Sequence, residues 1–207
     1  DRMLDMGFSE VLNYIVDCVP DSRQTLLFSA TYPDNIKSLS SKLQKDPIYI
    51  RTQEYNQNND IEQLFFKTKE EDKYLLLNSL LNYYKPTSTI IFCNTKLKCQ
   101  SLVKDLQNNG FYAQAIHGDL EQRERDLALL LFANKSTSIL IATDVAARGI
   151  DIKNLAAVIN FELSRDPQVH VHRIGRTGRA GNKGLAISLY CEKEKIILKV
   201  IKKITLF

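Results

Sequence analysis

Three arginines recur at every third position near the end of this chain. Arg173, Arg176 and Arg179 alternate with Gly175, Gly178 and Gly181. The planar arginine fork grips phosphate oxygens through paired hydrogen bonds and keeps its charge at any physiological pH. Each glycine weakens a helix by about 1 kcal/mol, so three within seven residues need a cause. Close approach to a ligand or to another domain would be one. The cluster suits a nucleotide γ-phosphate, met as arginine fingers meet it; the other reading is contact with a nucleic-acid backbone. His170 and His172 alternate just upstream, but no third ligand stands at a spacing that would complete a metal site.

Three more stretches place small polar groups directly after apolar runs. Ser29-Ala30-Thr31 follows residues 24–28. Its hydroxyls could bond a carboxylate or a phosphate-bound water, or simply cap a helix ahead of Pro33. Asn94-Thr95-Lys96 follows 89–93, where small polar side chains and free amides at a helix start make a phosphate seat, or an N-cap of the following helix. Thr143-Asp144 through Gly149-Ile150-Asp151 follows 138–142. There Thr143 could donate to a phosphate, Asp151 accept from a ribose hydroxyl, and Asp144 hold an arginine in place. The alternative is a capped turn whose small residues let another backbone come close.

Positioning these groups requires a rigid frame, and the sequence alternates short apolar strands with amphipathic helices. Strands are expected at 24–28, 47–51, 61–67, 89–93, 111–116, 138–142, 156–161 and 185–190. Helices are expected at 9–19, 33–44, 70–84, 96–109, 121–133, 168–176 and 192–204. Cys99, Leu102, Val103 and Leu106 follow the i, i+3, i+4, i+7 pattern of a buried helix stripe, and Gly110 stands where a C-cap glycine belongs. Ile197, Val200, Ile201 and Ile204 share a face of the last helix. Near-continuous apolar strands such as TIIFC, SILIA and AAVINF suit a sheet covered on both sides. Strand–helix alternation makes that sheet mostly parallel, and ligands then bind beyond the carboxyl ends of its strands. The polar run 52–60, TQEYNQNND, lacks apolar periodicity and reads as a linker.

Composition sets the outer bounds. The 207 residues are 44% hydrophobic and 25% charged, which excludes a wholly disordered chain. No apolar run reaches the roughly 18 residues of a membrane span, so no membrane partner is expected. Asp1-Arg2-Met3-Leu4-Asp5 shows no signal pattern and no initiating Met, so the chain is expected to begin inside a longer one. The net charge is +4, unevenly spread: residues 165–207 hold ten Lys and Arg against three Asp and Glu, a surplus of seven. That basic end suits a polyanion partner or a solvated helix face. Cys18, Cys93, Cys99 and Cys191 form no C-x-x-C pair and are expected to be reduced, buried thiols of a cytoplasmic protein.

In order along the chain, Ser29-Ala30-Thr31, Ile90-Ile91-Phe92-Cys93-Asn94-Thr95, Thr143-Asp144-Val145-Ala146-Ala147-Arg148-Gly149-Ile150-Asp151 and His172-Arg173-Ile174-Gly175-Arg176-Thr177-Gly178-Arg179 resemble motifs III, IV, V and VI of the DEAD-box ATP-dependent RNA helicases. The resemblance covers essentially the whole chain. His117-Gly118-Asp119-Leu120-Glu121-Gln122-Arg123 and Asp166-Pro167-Gln168-Val169-His170-Val171-His172 are similar to the bacterial DbpA type, which suggests ribosome assembly.

The resemblance implies a RecA-like, doubly wound α/β fold: 1–52 as the C-terminal remnant of a first domain, 53–60 as linker, and 61–207 as the second domain. Asp1 would be the last residue of the D-E-A-D box. Arg176 and Arg179 would be arginine fingers reaching ATP across the interdomain cleft, with Gly149 and Asp151 at the nucleotide. Ser29, Thr31 and His172 would couple hydrolysis to strand separation. Asn94, Gly118, Thr143, Gln122 and Arg125 would meet RNA, through backbone rather than bases. ATP with magnesium is the implied cofactor, RNA the partner, with ribosomal RNA suggested by the DbpA likeness, and a monomer the expected state. The adenine-reading Q-motif, the phosphate loop and the Asp-Glu of the box are not among the 207 residues. This stretch by itself is therefore expected to be inactive. A non-catalytic RNA- or partner-binding module with the same fold is the rival reading.

Overall fold

The computed structural model describes residues 8–29, 34–50, 60–147, 150, 152, 154–178 and 183–205. The chain divides into two compact units, Asp1–Gln53 and Glu54–Phe207. The first holds helices α1 (Ser9–Asp17) and α2 (Asp34–Leu43). Ile36 is its buried apolar anchor, and the Gln44 amide ties the end of α2 to the Thr25 carbonyl at 3.1 Å. The strands expected at 24–28 and 47–51 are absent among the described residues of those stretches, which carry no regular structure. An extended segment becomes a strand only when a neighbour satisfies its backbone groups, and no described residue of this unit supplies one. Cys18, expected to be buried, is exposed; Cys93, Cys99 and Cys191 are buried, and all four are free.

The second unit is built on six strands: β1 (Ile61–Lys67), β2 (Thr89–Cys93), β3 (Ala113–Ile116), β4 (Ile139–Thr143), β5 (Ala157–Asn160) and β6 (Gly184–Tyr190). Every pair is parallel and the order is β1-β6-β5-β2-β4-β3. The helices are α3 (Lys73–Tyr84), α4 (Lys96–Asn108), α5 (Gln122–Ala133), α6 (Asp144–Ala147), α7 (Pro167–Ile174) and α8 (Lys195–Thr205). Successive strand side chains point to opposite faces. Ile91 and Cys93 therefore join Leu77, Leu81, Cys99, Leu102 and Leu106 on the face covered by α3 and α4. Ile90 and Phe92 join Ile116, Leu140, Val158 and Ala128 of α5 on the other. The Cys99 stripe read from the sequence is that packing surface. Burial on both faces is what the apolar runs of β2, β4 and β5 require, and this is the doubly wound, RecA-like arrangement.

Some element ends differ from expectation for local reasons. The segment expected as one helix from 192 begins as a 3-10 turn, Glu192–Glu194, before α8. α7 stops at Ile174, ahead of Gly175, and starts with Asp166 accepting from the Gln168 amide at 2.8 Å and with Pro167 in its first turn. After β4 the chain crosses β2 to build β5 and β6 on its other side. The strand order thus reverses at β2, and the crevice at its carboxyl end is the switch point where such sheets place their ligands.

Candidate functional site

Arg173 fills that crevice. It is 2% exposed and projects from α7 under the strand ends. Its Nε and Nη2 donate to the two oxygens of Asp144 at 2.7 and 2.8 Å, a side-on fork at the end of β4. Nη2 also donates to the Asn94 side-chain oxygen at 3.0 Å, after β2. Nη1 donates to the Asn160 side-chain oxygen at 3.2 Å and the Glu162 carbonyl at 2.7 Å, on and after β5. The guanidinium lies 5.1 Å from the Phe92 ring centroid. A buried cation is tolerated only when paired and fully hydrogen-bonded, and every N–H here is used. Asp144 does hold an arginine, and that arginine is Arg173. Of the three periodic arginines, this one is therefore a brace between strands and does not face a ligand.

The brace fixes the other strand ends. Asn94 is engaged on both side-chain polar atoms and its backbone N–H: its oxygen by Arg173, its amide nitrogen by the Leu163 carbonyl at 3.0 Å, and its N–H by Glu162 at 2.8 Å. Thr95 caps α4 by accepting from the Lys98 N–H at 3.2 Å. Thr143 stands at the start of α6, its hydroxyl accepting from the Ala146 N–H at 3.4 Å. Gly118 lies in the open turn after β3, where an added methyl group would touch nothing within 4 Å. Glu121 and Glu124 form a capping box at the start of α5. Gln122 donates to Asp126 at 2.7 Å, and the Nε of Arg125 is buried without a hydrogen bond. Three helix starts, those of α4, α5 and α6, thus follow the carboxyl ends of adjacent strands β2, β3 and β4, and helix starts favour anions.

Arg176 follows α7 and donates to the Ile150 carbonyl at 3.3 Å, which joins the arginine segment to the loop after α6. His172 is exposed on α7, and Ser29 is exposed in the first unit. Asp1, Thr31, Gly149, Asp151 and Arg179 lie outside the described residues. Gly178 has an internal cause: its φ is +65°, and an added Cβ would collide with the Ile61 side chain. That turn packs against β1 and, through Thr177, bridges to Leu155. For this glycine, close packing inside the unit replaces the ligand approach expected from the sequence.

Three features escaped the sequence reading. Asn160 and Glu162 complete the Arg173 brace; an Asn inside the apolar run AAVINF is the signal that marks the first. His170 is fully buried, with neither ring nitrogen hydrogen-bonded and its ring stacked 6.4 Å from Phe65. Burial, then the nearby Arg173 charge, lowers its pKa to about 4. Lys73, 1% exposed, pairs with Glu70 at 3.4 Å and Glu194 at 3.2 Å at the ends of β1 and β6. Cys191 joins those two carboxylates within 4.8 Å, but the lysine already meets their charge.

The conserved C-terminal domain of helicases matches residues 72–181, and the DEAD/DEAH box helicase domain matches residues 1–39. ATP-dependent RNA helicase DbpA of Escherichia coli is 53% identical over 195 residues, covering 94% of this chain and 42% of that protein. The chain thus spans less than half the length of this curated relative. A crystal structure of a DEAD box protein from Methanococcus jannaschii covers 99% of this chain and 55% of its own at 40% identity and a TM-score of 0.69. Saccharomyces cerevisiae Dbp5 bound to RNA and ADP BeF3 matches 96% of this chain and 53% of its own, at 34% identity and a TM-score of 0.83. With Asn94 and Thr143 standing at the carboxyl ends of β2 and β4 in a RecA-like sheet, and helicase domains matched over residues 1–39 and 72–181, this chain belongs to the DEAD-box helicases.

Proposed function

We propose that this chain is the C-terminal portion of an ATP-dependent RNA helicase, which couples ATP hydrolysis to local opening of RNA duplexes. In this reading 1–52 closes a first RecA-like domain, 53–60 links, and 61–207 is the second domain. One observation carries it: Arg173 binds the ends of β2, β4 and β5 into one rigid edge. That edge presents Thr143, Gly118 and the starts of α4, α5 and α6 together. Backbone amides and small polar groups read phosphates and sugars and carry no base code, which suits sequence-tolerant RNA contact. Gln122 and Arg125 on α5 extend the same edge, and Asn94 acts there through the bonds that orient it.

Arg176, joined to Ile150 between Gly149 and Asp151, supplies the finger, with Arg179 beside it in sequence. Ser29, Thr31 and His172 transmit the state of the nucleotide. ATP is the substrate and magnesium its companion; no described residue is assigned to that ion. The likeness of 117–123 and 166–172 to the DbpA type supports a ribosomal RNA target, and four free thiols suit a reducing, cytoplasmic compartment; the protein acts as a monomer in this reading. The test is Arg176→Ala in the full-length protein. RNA-stimulated turnover should fall on the order of 10³-fold or more, with the fold intact by circular dichroism. Near-normal turnover would assign the arginine elsewhere.

A further inference from the structure

The last helix shows the outside world two parallel rows. The sequence places Ile197, Val200, Ile201 and Ile204 on one face, and the structure divides them. α8 buries Leu198, Ile201 and Thr205 against the unit. Ile196, Val200 and Ile204 remain 78%, 44% and 47% exposed. These three stand at i, i+4 and i+8, so they form one row along the helix. Lys195, Lys199 and Lys203 share that spacing and form the row beside it. Lys195 is paired with Glu192. Among the described residues, no carboxylate lies within ion-pairing distance of Lys199 or Lys203, and both are exposed.

We infer that this face of α8 docks an acidic amphipathic segment of a partner protein, whose apolar row covers Ile196, Val200 and Ile204 while its carboxylates meet Lys199 and Lys203. A second copy of this chain fits poorly, because two such helices would set lysine against lysine. RNA would satisfy the lysines and leave the branched apolar row in water, since contact with phosphate and sugar buries no such row. An acidic amphipathic segment satisfies both rows at once. Three side chains are far short of the roughly 800 Å² per partner of a standard interface, which suits a short segment held transiently. This site lies outside the strand-end edge and does not depend on the helicase reading.

The test uses the 207-residue chain and a fluorescent synthetic helical peptide with leucines at i, i+4 and i+8 beside a row of glutamates. Anisotropy titration should show saturable binding. Ile196→Ser/Val200→Ser and Lys199→Glu/Lys203→Glu, each with unchanged melting temperature, should weaken it about tenfold or more. The charge-reversed variant should instead take a peptide whose glutamates are replaced by lysines. The same titrations are run with a polyuridine oligomer. Absence of peptide binding, or peptide binding that ignores either double variant, overturns the inference. So does polyuridine binding that depends on Lys199 and Lys203 while the peptide fails, which would make the face an RNA track.

Discussion

Arg173 holds a charge where the sheet excludes water, and its neighbours turn their oxygens to that charge. Removing it leaves Asp144, Asn94 and Asn160 with unmet hydrogen-bonding groups at three strand ends. Arg173→Ala should therefore lower the unfolding free energy by about 3 kcal/mol, the low end for a broken buried pair because Asp144 keeps partial access to water. A denaturant midpoint equal to wild type would show that the brace is dispensable. His170 makes a second residue-scale prediction. Its folded pKa, about 4, is below the ordinary value of 6.5. Between those values the unfolded chain binds a proton that the folded chain refuses, so stability falls as pH drops from 6.5 toward 4. The loss should be about 2 kcal/mol at pH 5 relative to pH 7.5. His170→Phe, which keeps a ring against Phe65, should abolish this dependence; urea melts at the two pH values would decide.

Elements were legible wherever one periodicity decided them. The Cys99–Leu106 stripe of α4 is legible because one face of the helix meets the sheet, and the apolar runs of β2 and β4 because both of their faces are buried. Residues 24–28 and 47–51 carry apolar side chains too, but no described strand lies beside them, and propensity cannot provide a partner. The four apolar residues of α8 share a face, as the sequence implies, but a shared face does not say which of them meets the core: Ile201 is buried and Val200 and Ile204 are exposed. At the site, Asp144 was identified as an arginine holder, but which arginine it holds depends on how α7 lies across the sheet. Gly178 shows the same limit: its periodicity suggested a ligand, while its positive φ and its contact with Ile61 give a packing reason. Gly178→Ala should then cost about 1–3 kcal/mol from backbone strain, before any repacking of Ile61. A thermal melt shifted by less than 2 °C would mean the turn relaxes freely.

At the scale of the whole molecule, the second unit presents its candidate site on one edge, and the share proposed for it is limited by what its residues can hold. Arginines stabilise charge that develops on a transferring phosphoryl group, but they do not cradle the triphosphate or activate water. No G-x-x-x-x-G-K-[ST] run occurs in the 207 residues, and relatives such as E. coli DbpA are more than twice as long as the stretch they share with this chain. The chain alone, given ATP, magnesium and RNA, should release no phosphate above background, although its strand-end edge is intact. Malachite-green measurement on protein carried through two orthogonal purification steps tests this. Turnover that persists through both steps and disappears in Arg176→Ala would mean that these residues assemble a complete site, and would overturn the division of labour argued for the full-length enzyme.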